Sequence, residues 1–92
     1  MVVHPATAEI YAKELKAAKA TSWFGNDDEK AVNMIFSGKL KDKVQVAGLS
    51  RAFWKLYKRD MWHYLNSFLS PAEMKKYVHN PVRKLPDYRI EN

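Results

Sequence analysis

The residue types that most often carry enzymatic chemistry are few in this sequence, and their spacing matches no catalytic site. The 92 residues include no cysteine, and no two of the three histidines have the spacing of an HExxH zinc motif. The segment around Ser50 resembles a nucleophile elbow, but that motif requires a preceding strand, and this segment lies in a helical pattern. The sequence therefore predicts a non-enzymatic protein without a catalytic residue, cofactor, metal or small-molecule substrate.

Two further groups of residues could bind a metal ion or act in catalysis, but each has a simpler structural explanation. Asp60 and His63 can share a helix face as partial metal ligands, yet an aspartate that caps a helix beside a surface histidine is commoner. The acidic run 27–29 has the position of helix-start charge. The glycines are scattered, so the sequence contains no glycine-rich phosphate loop.

Positive charge is the functional property that this sequence concentrates. The net charge is +6, and the segment 39–59 holds seven Lys and Arg residues against one acid, Asp42, so it accounts for the whole excess. At about 100° per residue, four cations fall on one helix face and large apolar residues fall on the opposite face. We call the four the basic stripe: Arg51, Lys55, Lys58 and Arg59.

The basic stripe is either a solvated helix surface or an anion-binding surface. A face that meets only solvent usually alternates charge at i, i+4, so the absence of acids favours the binding of phosphates, anionic lipid headgroups or an acidic protein patch. Trp54 lies at the border of the stripe, and Trp62 follows shortly after it. We therefore take the stripe together with Trp54 and Trp62 as the candidate binding residues.

The C-terminal residues 80–92 form a second candidate contact region. Prolines at positions 81 and 86 oppose a helix, so we predict an extended arm. The arm is either a frayed tail or a strap that folds back on its own helices or lies along a neighbouring protein. Its large apolar residues and prolines favour the strap, because prolines reduce the entropy lost on ordering. The predicted docking residues are Arg83, Leu85, Tyr88 and Ile90.

Helices must position all of these residues. Start signals and breakers predict an all-α fold, a compact bundle of four to five short helices over 1–79 with an extended arm over 80–92. The clearest start is Ser70-Pro71-Ala72-Glu73, and Asn26 with Glu29 forms a second capping box. Gly38 is the predicted C-cap of the second helix.

The approximate helix ranges are 5–21, 26–37, 42–59, 61–69 and 71–79. The predicted buried residues are Leu15, Ile35, Val46, Leu49, Phe53, Tyr57, Leu65 and Phe68.

The sequence contains the loop Gly25-Asn26-Asp27-Asp28-Glu29, followed later in the chain by Ala52-Phe53, Tyr57 and Leu65. In these residues, the stretch from Tyr11 to Val78 resembles a single annexin-type repeat of five short helices. The calcium loop of that family is not preserved, because Trp23-Phe24-Gly25-Asn26 replaces its glycine-rich sequence and Tyr64 falls near the position of the distant acidic ligand. The resemblance therefore implies a five-helix layout without calcium-dependent membrane binding.

These features lead to three functional hypotheses. The first is a non-catalytic subunit or adaptor of a larger protein assembly, such as an organellar complex or a phage particle, docked through the basic helix and the arm. The second is a nucleic-acid-binding protein that uses the basic stripe with Trp54 or Trp62. The third is a calcium-independent binder of anionic membrane surfaces.

The composition also predicts a location. A chain without cysteine needs no oxidising compartment, and its N-terminus has no apolar run of signal-peptide length. No stretch approaches the roughly 20 apolar residues of a transmembrane helix. We therefore expect an intracellular, organellar or virion-associated protein that is neither secreted nor membrane-spanning.

Overall fold

The computed structural model describes residues 5–20 and 27–88, and within them it contains helices and no strand. The prediction of an all-α bundle is therefore confirmed. Across the two described ranges the helices form five continuous segments, two of which contain a wider π-helical turn. In chain order the elements are α1 (Pro5–Ala20), α2 (Asp27–Asn33) with a first π turn (Met34–Lys39), α3 (Lys43–Tyr57), α4 (Met61–Asn66), and α5 (Pro71–Met74) with a second π turn (Lys75–His79) that continues into α6 (Asn80–Arg83).

Side-chain caps define the starts of three helices. The Asp42 carboxylate accepts the backbone N–H of Gln45 at 2.8 Å and so caps α3. Asp60 caps α4 in the same way, by accepting the N–H of His63 at 2.8 Å. The predicted capping box at α5 is present in full, with both reciprocal bonds between Ser70 and Glu73. The predicted cap at Asn26 lies outside the described residues.

Two helix ends differ from the prediction. The prediction of Gly38 as a C-cap is wrong, because Gly38 lies inside the first π turn and Leu40 caps that element instead. The N–H of Leu40 donates to the Ile35 carbonyl at 3.1 Å, and this five-residue spacing carries the helix past Gly38. The third helix ends at Tyr57 and not at Arg59, because Lys58 adopts a left-handed conformation with φ 52°.

The predicted arm begins too early, since residues 80–83 form the helix α6. The second π turn precedes Pro81, and the Asn80 N–H bonds to the Lys75 carbonyl five residues back. The wider turn relieves the clash that a proline ring causes in an α-helix, and Pro81 lies in the first turn of α6, where its missing N–H is tolerated. The chain leaves the helix only after residue 83.

The core lies where α1 packs against α3 and α2. Six of the eight residues predicted to be buried are buried, whereas Tyr57 and Phe68 are partly buried against the core. Tyr64 is fully buried although it carries a hydroxyl group, because that group hydrogen bonds to carbonyl oxygens of α1. α3 is therefore held with its apolar side inward, which leaves its opposite side facing solvent.

Candidate functional site

The solvent-facing side of α3 displays the basic stripe. All four residues of the stripe are exposed, while Leu49 and Phe53 on the opposite side are fully buried. Trp54 is 54% exposed, which is unusual for so large an apolar side chain. The helix thus places an indole ring and several cations on one surface, which we call the α3 outer face.

Ion pairing neutralises little of this charge. Lys55 pairs with Glu9 of α1 at 3.1 Å, but the two side chains are 72% and 31% exposed, so the pair is weak. Arg51, Lys58 and Arg59 make no ion pair with any described residue. Their charge is therefore available to an external anion.

The left-handed turn at Lys58 changes the geometry expected from a regular helix. The N–H of Lys58 donates to the carbonyl of Trp54 at 2.8 Å, and the chain then leaves the helix axis. Arg51 and Lys55 project from the helix itself, whereas Lys58 and Arg59 belong to the turn that follows it. The four cations consequently do not all lie in one regular helical row.

Trp62, which the sequence places with the stripe, belongs to a different environment. The centroid of its ring lies 6.1 Å from that of the Phe36 ring. It lies 6.2 Å from the centroid of the His79 ring, and the planes of the Trp62 and His79 rings form an angle of 25°. Phe36 is buried in the core, and Trp62 is only partly exposed. Trp62 therefore links α4 to the two π turns and is not part of the α3 outer face.

The described part of the arm folds back on the protein itself. The carbonyl oxygen of Pro86 accepts the backbone N–H of Lys43 at 2.9 Å, and the Lys43 ammonium group contacts Asp87 at 2.7 Å. Leu85 is partly buried against the core, while Tyr88 is 71% exposed. We call residues 84–88 the strap, because they connect the end of α6 to the first turn of α3.

The other predicted arm residues have separate positions. Arg83 is exposed at the end of α6, and Ile90 lies outside the described residues. The sequence-based site omits the exposed cations Lys41, Lys75, Lys76 and Lys84. The sequence does indicate most of these cations as a second basic region, since residues 75–84 contain no acid.

Asp60 and His63 form the N-cap of α4 and not a metal site. The Asp60 carboxylate accepts the His63 backbone N–H, which is the capping arrangement. Among the described residues, no group of three or more His, Cys, Asp or Glu side chains is arranged to hold a metal ion. The same part of the chain contains no helix that is both long and apolar enough to cross a membrane.

Comparisons with protein-family models, with curated proteins and with solved structures find no match for this chain.

Proposed function

We propose that this is a non-catalytic protein that binds single-stranded nucleic acid on the α3 outer face. The observation that carries the proposal is the position of Trp54, whose ring is more than half exposed on a helix surface that also displays Arg51 and Lys55. Cations that contact phosphates together with an aromatic platform for bases are the two parts of a single-strand binding surface.

The residues of the face have different roles in this proposal. Arg51 and Lys58, which make no described ion pair, contact backbone phosphates, and the release of counterions from those phosphates drives binding. Trp54 stacks on a base, which is possible only where that base is unpaired. Lys55 contributes less, because a phosphate must compete with Glu9 for it.

Three further observations favour nucleic acid over a protein partner. The chain has a net charge of +6 and a pI near 9.6, which attracts polyanions over long range. Protein interfaces are depleted in lysine, yet two of the four cations of the basic stripe are lysines. The strap, moreover, already contacts α3 of the same chain. Leu85 packs against the core and is therefore not available to anchor a partner protein.

A subunit of a larger protein assembly is the second candidate. Tyr88 favours it, because this aromatic side chain is 71% exposed at the end of the strap, where it can anchor a neighbouring protein. Anchoring by apolar contacts survives high salt, whereas phosphate binding weakens steeply with salt. The salt dependence of the complex therefore separates the two candidates.

The test uses fluorescence anisotropy with a labelled thymidylate strand of about 15 nucleotides, which covers the usual range of single-strand site sizes. Charge reversal by Arg51→Glu with Lys58→Glu should reduce affinity at least tenfold and flatten the log–log salt dependence. The matched control is Lys13→Glu with Lys30→Glu, which makes the same change in net charge at two exposed positions on α1 and α2.

Trp54→Ala tests the stacking contribution separately. It should weaken binding by about 1–3 kcal/mol and leave the salt slope unchanged, because a stacked base releases no counterion. The proposal is rejected if the wild-type protein does not bind the strand, or if the control pair weakens binding as much as the Arg51 and Lys58 pair does. Equal binding to anionic vesicles and no preference for the strand would instead indicate a membrane surface.

A further inference from the structure

We infer that the nucleic-acid site has a second phosphate-binding end at the start of α3, formed by Lys41, Arg83 and Lys84. We call these three residues the strap cluster. The inference rests on the proposed function, and its ligand is the phosphodiester backbone of the strand that binds the α3 outer face.

The strap brings the segment of Arg83 and Lys84 to the start of α3, although more than 40 positions separate these two residues from Lys41 in the sequence. The Pro86 carbonyl bonds to the Lys43 N–H at 2.9 Å, and Lys84 precedes Pro86 by only two residues. Chain geometry then places the Lys84 Cα within about 14 Å of the Lys43 Cα. Lys41 precedes Lys43 by two residues, so the segments that carry Lys41 and Lys84 are neighbours at the start of α3.

The charge of the strap cluster is not offset locally. Lys41, Arg83 and Lys84 are exposed, and none of them makes an ion pair with a described residue. Two acids lie within three residues of the cluster in the sequence, and one of them, Asp42, is buried and caps α3. Asp87 contacts Lys43 at 2.7 Å, so its charge is already partly compensated.

The backbone that carries the strap cluster is anchored. The N–H of Lys41 donates to the side-chain oxygen of Gln45 at 2.7 Å, and Gln45 is itself buried. On the other segment, the N–H of Lys84 donates to the Pro81 carbonyl at 3.2 Å, and Leu85 packs against the core. The cations therefore project from fixed positions, which lowers the entropy lost when they bind phosphates.

α3 sets the distance between the two ends of the site. From Lys43 to Lys58 the chain rises about 22 Å, at 1.5 Å per residue. A strand that reaches both ends binds the second end as an intramolecular step, which raises its overall affinity. A strand too short to span α3 gains nothing from the second end.

This length dependence provides the test. The variant Lys41→Glu with Lys84→Glu is compared with Lys13→Glu plus Lys30→Glu, on thymidylate strands of about 3 and about 15 nucleotides, of which only the longer can span α3. We expect the strap-cluster variant to bind the long strand about tenfold more weakly, with a salt slope smaller by about 1.4, the value for two lost contacts to a single strand. Its affinity for the short strand should stay within about twofold of wild type.

Several results would overturn the inference. One is a loss on the long strand no larger than that of the control pair, which would mean that only net charge matters. Another is an equal loss on both strands, which would mean that the cluster is not a second end. Circular dichroism verifies folding, and if the Glu variant is unfolded, Lys41→Gln with Lys84→Gln is used and should show a smaller loss of the same kind.

The inference and the proposed function fail in different ways. If reversal at Arg51 and Lys58 abolishes binding while reversal at the strap cluster matches the control, the α3 outer face is the whole site and only the inference is lost. If the wild-type protein binds neither strand, both fail.

Discussion

The hydroxyl group of Tyr64 donates a 2.7 Å hydrogen bond to the carbonyl oxygen of Lys16 and so joins α4 to α1. Tyr64 is completely buried, and its ring lies 5.0 Å from that of Phe53. A buried hydroxyl without a partner is costly, whereas this one is satisfied by helix carbonyls. The bond thus lets a polar aromatic residue occupy the centre of a small core.

Removing the Tyr64 hydroxyl group should lower the stability of the protein only slightly. We expect Tyr64→Phe to lower the free energy of unfolding by about 1 kcal/mol, because the ring packing stays and the hydroxyl group's hydrogen bonding to the α1 carbonyls is lost. Urea denaturation followed by circular dichroism measures the change. Tyr88→Phe is the control and should have no effect, since Tyr88 is highly exposed. A loss for Tyr64→Phe as large as that of a core deletion would contradict this account.

Phe53 should contribute much more to the stability of the folded protein than its neighbour Trp54 does. Phe53 is completely buried and also packs on Tyr57, with ring centroids 4.9 Å apart. Phe53→Ala should cost about 3–5 kcal/mol and can unfold so small a domain. Trp54→Ala should cost less than about 1 kcal/mol, because that ring faces solvent. Thermal and urea unfolding of the pair test the orientation of α3, and an unchanged melting temperature for Phe53→Ala would refute it.

Lys58 occupies a backbone conformation that favours glycine. Its φ of 52° lies in the left-handed region, where a β-carbon costs roughly 1 kcal/mol. Lys58→Gly should therefore raise the free energy of unfolding by about that amount, measured in high salt to screen charge effects. Arg59→Gly removes the same charge one residue later, where φ is not positive, and should give no such gain. A less stable Lys58→Gly protein would contradict the prediction.

The strap should contribute to the stability of the helical bundle. Deleting residues 85–92 removes the Pro86 carbonyl from the Lys43 N–H and the Leu85 side chain from the core. We expect a loss of about 2 kcal/mol, measured by urea denaturation. Asp87→Asn removes only an exposed ion pair and should cost less than about 0.5 kcal/mol. Unchanged stability after the deletion would show that the strap is a tail.

The capping box at α5 should make stability depend on pH in the acidic range. A side-chain hydrogen bond with Glu29, followed by the bonds with Ser70, holds the pKa of Glu73 below its ordinary value of 4.5. A carboxylate with a lowered folded pKa stabilises the protein above the ordinary value, and this contribution is lost as the pH falls through the folded pKa. Wild type should therefore exceed Glu73→Gln in stability near neutral pH.

The difference between wild type and Glu73→Gln should disappear in strong acid, where Glu73 is protonated in both the folded and the unfolded state. Urea denaturation across the acidic range measures it. Ser70→Ala should instead lower stability by about 1 kcal/mol near neutral pH, because it removes the N-cap hydroxyl group. A wild-type advantage over Glu73→Gln that stays constant at every pH would refute the role assigned to Glu73.

Local sequence signals predicted the helix starts because those signals act within one turn. Asp60 and Ser70 each accept the backbone N–H of the residue three positions downstream, so these bonds need no contact with distant parts of the chain. The same locality made the amphipathic character of α3 predictable, including the burial of Phe53 and the exposure of Arg51. The sequence also determined the concentration of positive charge between residues 39 and 59.

Only the tertiary structure decided the features that depend on residues distant in sequence. The π turns allow helix to continue past Gly38 and through Pro81, because packing against the core outweighs local breakers. Trp62 is separated from the basic stripe by its contacts with Phe36 and His79, which lie on other elements. The strap joins residue 86 to residue 43, and no local pattern encodes a hydrogen bond between residues so far apart, since it forms only when the whole bundle brings the two segments together.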